Sequence, residues 1–420
     1  MSSRTIYVYA DWIGLNDPLL MGTLGAEQVR GNEVLSFEYE KAWLESNDRH
    51  VLDPDLILFS GPQYTTEEKA NFGMFLDSSP DRWGRVLMRR REAFMARVEG
   101  RPQKNLMHSD YLLGVYDEHR MGAIRFKELQ DGPFVNDNQK MAAPPWTSIR
   151  ELEFASKKLE EDNSVDDPEY LKWLNLLTAP GSSLGGARPK ASVMDNHNHL
   201  WIAKFPSIND NIDVGGWEKV VYELALKSGI NMSESIIQKF SGNQNTFLTK
   251  RFDRTPDQGR IHFASAMTLL GRVDGDNYQS GVGYLDLLGF IMQNGDKDFI
   301  ASDLEELWRR IVFSICVKNT DDHLRNHGFI LGKKGWRLSP AYDINAVPTG
   351  TGLSLNISDE DNSLDLNLAS EVAELFRLNT VKSKEIIQHV QYTVSKWRTV
   401  ATNYGLSRRE QELMSFAFEQ

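Results

Sequence analysis

Residues 319–329 read NTDDHLRNHGF, a polar run that follows an apolar helical pattern and ends in the strand-like triplet Phe329–Leu331. Two of its members carry most of the meaning, Asp321 and Asn326, five positions apart. A carboxylate at the first can accept or orient an attacking hydroxyl, and an amide oxygen at the second can help hold magnesium, which prefers oxygen ligands. Asp343 lies seventeen residues beyond Asn326, in LSPAYDINAVP. A hairpin through Phe329–Leu331 would return it beside Asn326 as a second metal ligand, because a magnesium ion bridging phosphates takes one or two protein carboxylates.

The separation of Asp321 from Asn326 is also that of the Asp and Asn in the catalytic loop of protein kinases. His323, inside the run, is read as a hydrogen-bonding brace of the loop at the edge of a nucleotide site. Zinc is disfavoured, because His327 is four residues away on a loop, where that spacing defines no common face. A kinase needs a lysine against the nucleotide phosphates, and Lys204, on the apolar run Leu200–Phe205, stands where such a lysine belongs. Glu218 is expected to open the following helix and is a candidate partner for Lys204. Upstream lies GSSLGGARPK, Gly181–Lys190, in which Ser183, Gly185 and Gly186 are small enough for backbone amides to approach phosphate oxygens. Neither the dinucleotide glycine pattern nor the P-loop pattern is present.

The surrounding chain supplies the scaffold. Leu304, Leu307, Ile311, Val312 and Ile315 recur at helical spacing just before the polar run, and Ser302 with Glu305 has the separation of a capping box. Ile386, Val390, Val394 and Trp397 form a second apolar stripe, stopped by Gly405. From about Phe263 onward helices dominate. Earlier, Ile6–Tyr9 and the alternating Phe37 and Tyr39 predict strands, and residues 81–97 and 149–159 predict helices. Ala191–Met194 and Leu200–Phe205 read as a hairpin turning at Asp195–Asn198. Pro133, Asn136, Asp137, Asn138, Pro144 and Pro145 mark a boundary between 132 and 148.

At 420 residues, 40% hydrophobic and 25% charged, the chain has the composition of a globular protein of several domains and not of a disordered one. Its one cysteine, Cys316, excludes an internal disulfide and reads as a small core residue. A net charge of −12 argues against an extended phosphate-tracking surface, and the run Arg89–Arg91 reads as solvated helix surface. The start MSSRTIYVYADW lacks the plan of a signal peptide, and no run of about 18 apolar residues appears, so a cytoplasmic protein without a membrane partner is expected.

Together these motifs resemble the HipA family of bacterial toxin kinases. The resemblance spans nearly the whole chain: the N-terminal strands, FLDSSPDRWGR (75–85), SSLGGARPK (182–190), IAKFP (202–206), KRFDR (250–254), TDDHLRN (320–326) and LSPAYD (338–343), in that order. It implies an α+β, two-lobed kinase fold: an N-terminal β-rich subdomain over 1–148, a lobe with the glycine-rich loop and ATP lysine over 149–260, and a helical catalytic lobe over 261–420. It implies Asp321 as catalytic aspartate, Asn326 and Asp343 on magnesium, Lys204 on the ATP phosphates, and the backbone around Lys250 and Phe252 on adenine. It also implies autophosphorylation at Ser183 or the adjacent Ser182, a helix-turn-helix antitoxin of HipB type that holds operator DNA, and a protein substrate of the aminoacyl-tRNA synthetase kind. A kinase-like co-repressor module and a kinase for a non-protein acceptor remain open alternatives at this point.

Overall fold

The computed structural model describes residues 3–66, 68–136, 144–161, 164–178, 186 and 188–418. Its contacts divide the chain into two compact units, Met1–Asn209 with Lys250–Ala264, and Asp210–Thr249 with Ser265–Gln420.

The first unit opens on an antiparallel sheet of β1 (Ser3–Ala10), β2 (Leu19–Val29), β3 (Asn32–Tyr39), β4 (Gln63–Tyr64) and β5 (Ile124–Lys127), ordered β4-β3-β2-β1-β5. Period-two alternation gives it one dry face, with Leu35, Phe37 and Tyr39 buried on β3. Arg30 and Gly31, at φ +52° and +88°, form the two-residue turn that matches the twist of a hairpin. Helices α1 (Lys41–Glu45), α2 (Gly73–Asp77), α3 (Arg82–Glu99), α4 (His108–Gly114), α5 (Ile149–Glu160) and α6 (Tyr170–Thr178) follow. The longest, α3, starts where the Asp81 carboxylate accepts the Gly84 N–H at 2.7 Å and stops at Gly100, which takes φ +64°. The expected hairpin is β6 (Lys190–Met194) with β7 (Leu200–Lys204). Asp195 shapes its turn by accepting from His197 N, His199 N and Trp201 Nε1.

The second unit is mainly helical. It contains α7 (Val214–Lys227), the hairpin β8 (Ser235–Gln238) and β9 (Thr246–Lys250), and, past the junction strand β10 (Phe263–Ser265), α8 (Ala266–Leu269), α9 (Tyr284–Asn294) and α10 (Ile300–Cys316). The hairpin β11 (Gly328–Gly332) and β12 (Gly335–Leu338) comes next, then α11 (Leu366–Val372), α12 (Thr380–Val394), α13 (Trp397–Asn403) and α14 (Arg408–Phe418). Its core is built on α10, whose Leu304, Leu307, Trp308, Ile311, Val312, Phe313 and Ile315 are all fully buried. Each such side chain contributes about 1.5–3 kcal/mol by leaving water. Cys316 is buried beside them, with its thiol pushed up to about 12 by burial. No helix of the described residues is long and apolar enough to cross a membrane.

Three local expectations are corrected. Ser302 and Glu305 do not form a capping box: α10 starts earlier, out of the turn in which Phe299 N–H bonds Asp296 O, so Ser302 Oγ bonds Phe299 O and Glu305 pairs with Arg309. The C-terminal stripe is split, because the helix breaks at Ser395–Lys396 and Trp397 opens α13, where it stacks on Phe418 at 4.8 Å. Gly405, at φ +73°, follows α13 as expected. Glu218 lies in the second turn of α7, and the negative charge at that helix start is Asp213, which accepts from Gly216 N.

Residues 250–254 are held by a buried ionic knot within the first unit. Asp253, fully buried, takes both Arg251 and Arg254 at 2.6 Å and accepts the Gly122 N–H at 2.9 Å. The two guanidinium groups also donate to the carbonyls of Glu118, His119 and Arg120. Burial disfavours the Asp253 carboxylate, but the two arginines more than offset it and hold the group far below its usual range. Replacing Asp253 by Asn leaves two buried cations without their counter-charge and is expected to cost about 3–5 kcal/mol. Urea unfolding, read as a fall in midpoint, checks this.

Candidate active site

The end of α10 and the start of β11 fix the loop between them. Asn319 N–H bonds Ser314 O at 2.9 Å, Leu324–Asn326 forms one 3₁₀ turn, and Ala266 N–H bonds His327 O at 2.8 Å. Inside these anchors the loop brings residues five apart together twice. Asn326 Nδ2 donates to the Asp321 carbonyl at 2.9 Å, and His327 Nε2 lies 2.8 Å from Asp322 Oδ1. The first contact commits the amide nitrogen of Asn326 to the backbone and leaves Oδ1 as its acceptor. Asp321 is exposed, whereas Asp322, its neighbour, is buried.

The hairpin β11–β12 carries the chain back, and Asp343 follows it. Three contacts tie this segment to the loop: Tyr342 OH donates to Arg325 O at 2.8 Å, Asn345 N–H to Asn319 Oδ1 at 3.2 Å, and Val347 N–H to Lys318 O at 3.1 Å. Asp343 itself takes φ +55°, a left-handed conformation that costs an L-residue about 1–2 kcal/mol. Asn345 Nδ2 donates to its carboxylate at 3.2 Å. Asp343, Asn326 and Asp321 offer oxygen donors alone, and the described residues contain no cluster of three His, Cys, Asp or Glu able to hold a metal. That set suits magnesium, which keeps water and phosphate ligands around one or two protein carboxylates.

His323 does not brace the loop through its ring. Its Nδ1 is buried without a hydrogen-bond partner among the described residues, and its bracing bonds are made by its backbone, N–H to Asp321 O and carbonyl from Asn326 N–H. The side chains that brace are Asp322 and Tyr284, whose hydroxyl donates to Asp322, with His327 in ion-pair range of the same carboxylate. Burial pushes the Asp322 carboxyl up, but the charge and hydrogen bond of His327, with the Tyr284 hydroxyl, hold it below its usual range. Burial, then the Asp322 charge, drives the Tyr284 phenol well above its usual value, so it remains a donor. Sequence reasoning missed this trio, although the separation of Asp322 from His327 repeats that of Asp321 from Asn326.

The remaining expected residues belong to the first unit. Lys204 ends β7, half-buried, directly across the hairpin from buried Lys190. Opposed like charges destabilise a strand pair. Here Asp81, from the FLDSSPDRWGR motif, offsets the repulsion, with its carboxylate 3.2 Å from Lys190 Nζ. Gly186 takes φ +84°, and a Cβ there would stand 3.1 Å from that Nζ. Lys250 and Phe252 flank Arg251 of the ionic knot, and Phe252 packs 5.7 Å from Phe263. Ser182, Ser183 and Gly185 lie outside the described residues.

The described residues mix helices with antiparallel sheet, an α+β architecture. Residues 182–397 match the family described as HipA-like C-terminal domain, and the chain belongs to that family. Two curated relatives are both provisionally named kinases. One, from Haemophilus influenzae, is 28% identical over 186 residues, 40% of this chain and 53% of that protein. The other, from Sinorhizobium fredii, is 30% identical over 156 residues, 36% of each. This chain therefore spans about half the first and a smaller part of the second. Among solved structures, HipA of Shewanella oneidensis MR-1, in complex with HipB and operator DNA, aligns with a TM-score of 0.64 at 16% identity, covering 98% of this chain and 94% of that one. At that identity the likeness is one of fold.

Gly350 sits hard against the loop: an added Cβ would meet the β-branched Thr320 side chain at 2.2–2.7 Å. Gly350→Ala is expected to destabilise by about 1–3 kcal/mol. Gly289→Ala, where nothing lies within 4 Å, is the control and should be neutral or stabilising by about 0.4–1 kcal/mol. Thermal unfolding of the two variants distinguishes them.

Proposed function

We propose that this chain is an ATP- and magnesium-dependent serine/threonine protein kinase that acts as the toxin of a toxin–antitoxin pair. The observation that carries the reading is the bond from the Asn326 amide to the Asp321 carbonyl, together with the ties that bind the Asp343 segment to the same loop. Asp321 accepts the proton of the attacking hydroxyl and orients it. Asn326 Oδ1 and the Asp343 carboxylate hold the metal, Lys204 lies against the nucleotide phosphates, and the backbone around Lys250 and Phe252 holds the adenine. His323, with the amides at Gly185 and Gly186, lines the phosphate site. When bound, magnesium–ATP supplies the phosphoryl group and the positive charge that stabilises its transfer.

Ser183 or Ser182 is the autophosphorylated residue. The organisation assigned to this function is an N-terminal subdomain over 1–148, a nucleotide lobe over 149–260 and a catalytic lobe over 261–420. The partner is a helix-turn-helix antitoxin of HipB type. The Shewanella structure, which holds HipA with HipB and operator DNA, supports this, and a net charge of −12 favours DNA contact mainly through the antitoxin. The substrate is a cytoplasmic protein, with an aminoacyl-tRNA synthetase the first to test.

Purified chain incubated with labelled ATP and magnesium should label itself near Ser183. Asp321→Asn should lower transfer by about 10²–10⁴-fold. Lys204→Met should raise KM for ATP. Transfer by the intact chain no greater than by Asp321→Asn would refute the reading.

A further inference from the structure

Asp322 and Asp321 are adjacent in sequence and opposite in environment, one buried and one exposed. Both oxygens of Asp322 are engaged, Oδ2 by the hydroxyl of Tyr284 at the start of α9 and Oδ1 by His327 Nε2 at 2.8 Å. The Tyr284 and His327 rings meet edge to face, with centroids 5.6 Å apart at 86°. Ser314 Oγ accepts from Asn319 Nδ2 at 3.3 Å, Asn319 Oδ1 accepts the Asn345 N–H at 3.2 Å, and Asn345 Nδ2 reaches the Asp343 carboxylate at 3.2 Å. A polar chain thus runs from Ser314 near the end of α10 through Asn319 and Asn345 to Asp343, and a separate cluster of Asp322, Tyr284 and His327 lies beside Asn326 in the loop.

We propose that the chain Ser314–Asn319–Asn345 is a positioning framework that holds the Asp343 carboxylate for the divalent cation it shares with Asn326. The inference rests on the metal roles given above to those two residues. None of the three reacts. Each acts through its neighbour, and partners that orient metal-holding side chains commonly govern metal affinity. A linked, buried network also transmits the loss of one member to the others, which isolated core hydrogen bonds do not.

The test uses the full chain and manganese with ADP, so that no turnover is needed, and reads free Mn²⁺ by electron paramagnetic resonance. Asn345→Ala, at a half-buried position, and Ser314→Ala, which removes only the hydroxyl that accepts from Asn319, should each weaken Mn–ADP binding by about tenfold or more. Binding of metal-free ADP should not change. The double variant should lose less than the product of the single losses, because both interrupt one chain. Multiplicative losses, wild-type affinity in Asn345→Ala, or no Mn–ADP binding by the intact chain would each overturn the inference. Intact Mn–ADP binding and coupling in a chain that transfers no phosphate would instead overturn the kinase reading and leave the framework standing.

Discussion

Asn326 donates its amide nitrogen to the carbonyl of Asp321, 2.9 Å away. An asparagine has one acceptor oxygen and one donor nitrogen, so this bond decides which end of the amide faces the backbone and which can meet a cation. It also closes the loop, holding the Asp321 backbone at a fixed distance from the proposed metal position. The segment carrying Asp343 is then locked onto the same loop through Tyr342, Asn345 and Val347, at the cost of a left-handed aspartate. Chemistry by positioning and charge stabilisation, rather than by covalent steps, calls for such rigidity.

Much of this was legible in the chain itself. The Asp321, Asn326 and Asp343 spacing pointed to a loop followed by a returning hairpin, and β11 with β12 is that hairpin. The apolar stripe of α10 and the β6–β7 hairpin are present because helical periodicity and a polar turn between apolar runs are strong local signals. What stayed hidden was tertiary. His323 reads as the brace, but the side-chain hydrogen bond that braces the loop is made by Asp322, and its partner Tyr284 lies 38 residues earlier in sequence. The Ser302 capping signal was real chemistry overruled by a turn at Asp296 that started the helix earlier. The break at Ser395–Lys396 left the burial of Ile386, Val390, Val394 and Trp397 intact, and burial is the part of the pattern that the sequence encodes most strongly.

Two motifs acquire a physical reason in the first unit. KRFDR supplies the ionic knot that pins residues 250–254 to the carbonyls of 118–120, a stiff setting for backbone that would meet an adenine ring. FLDSSPDRWGR supplies Asp81, which both caps α3 and offsets the charge of Lys190 opposite Lys204. Membership of the HipA-like family and a kinase-like fold rest on the family match and the structural alignment. The acceptor is decided by surfaces, and fold does not dictate those.

The central claim is that Asn326 and Asp343 share one cation. A crystal structure of the chain with a non-hydrolysable ATP analogue and magnesium tests it most directly. The account requires Asn326 Oδ1 and an Asp343 oxygen on the same ion at about 2.0–2.1 Å, with Asp321 facing the terminal phosphoryl group. A magnesium ion bound without either residue, or nucleotide seated away from this loop, would contradict it.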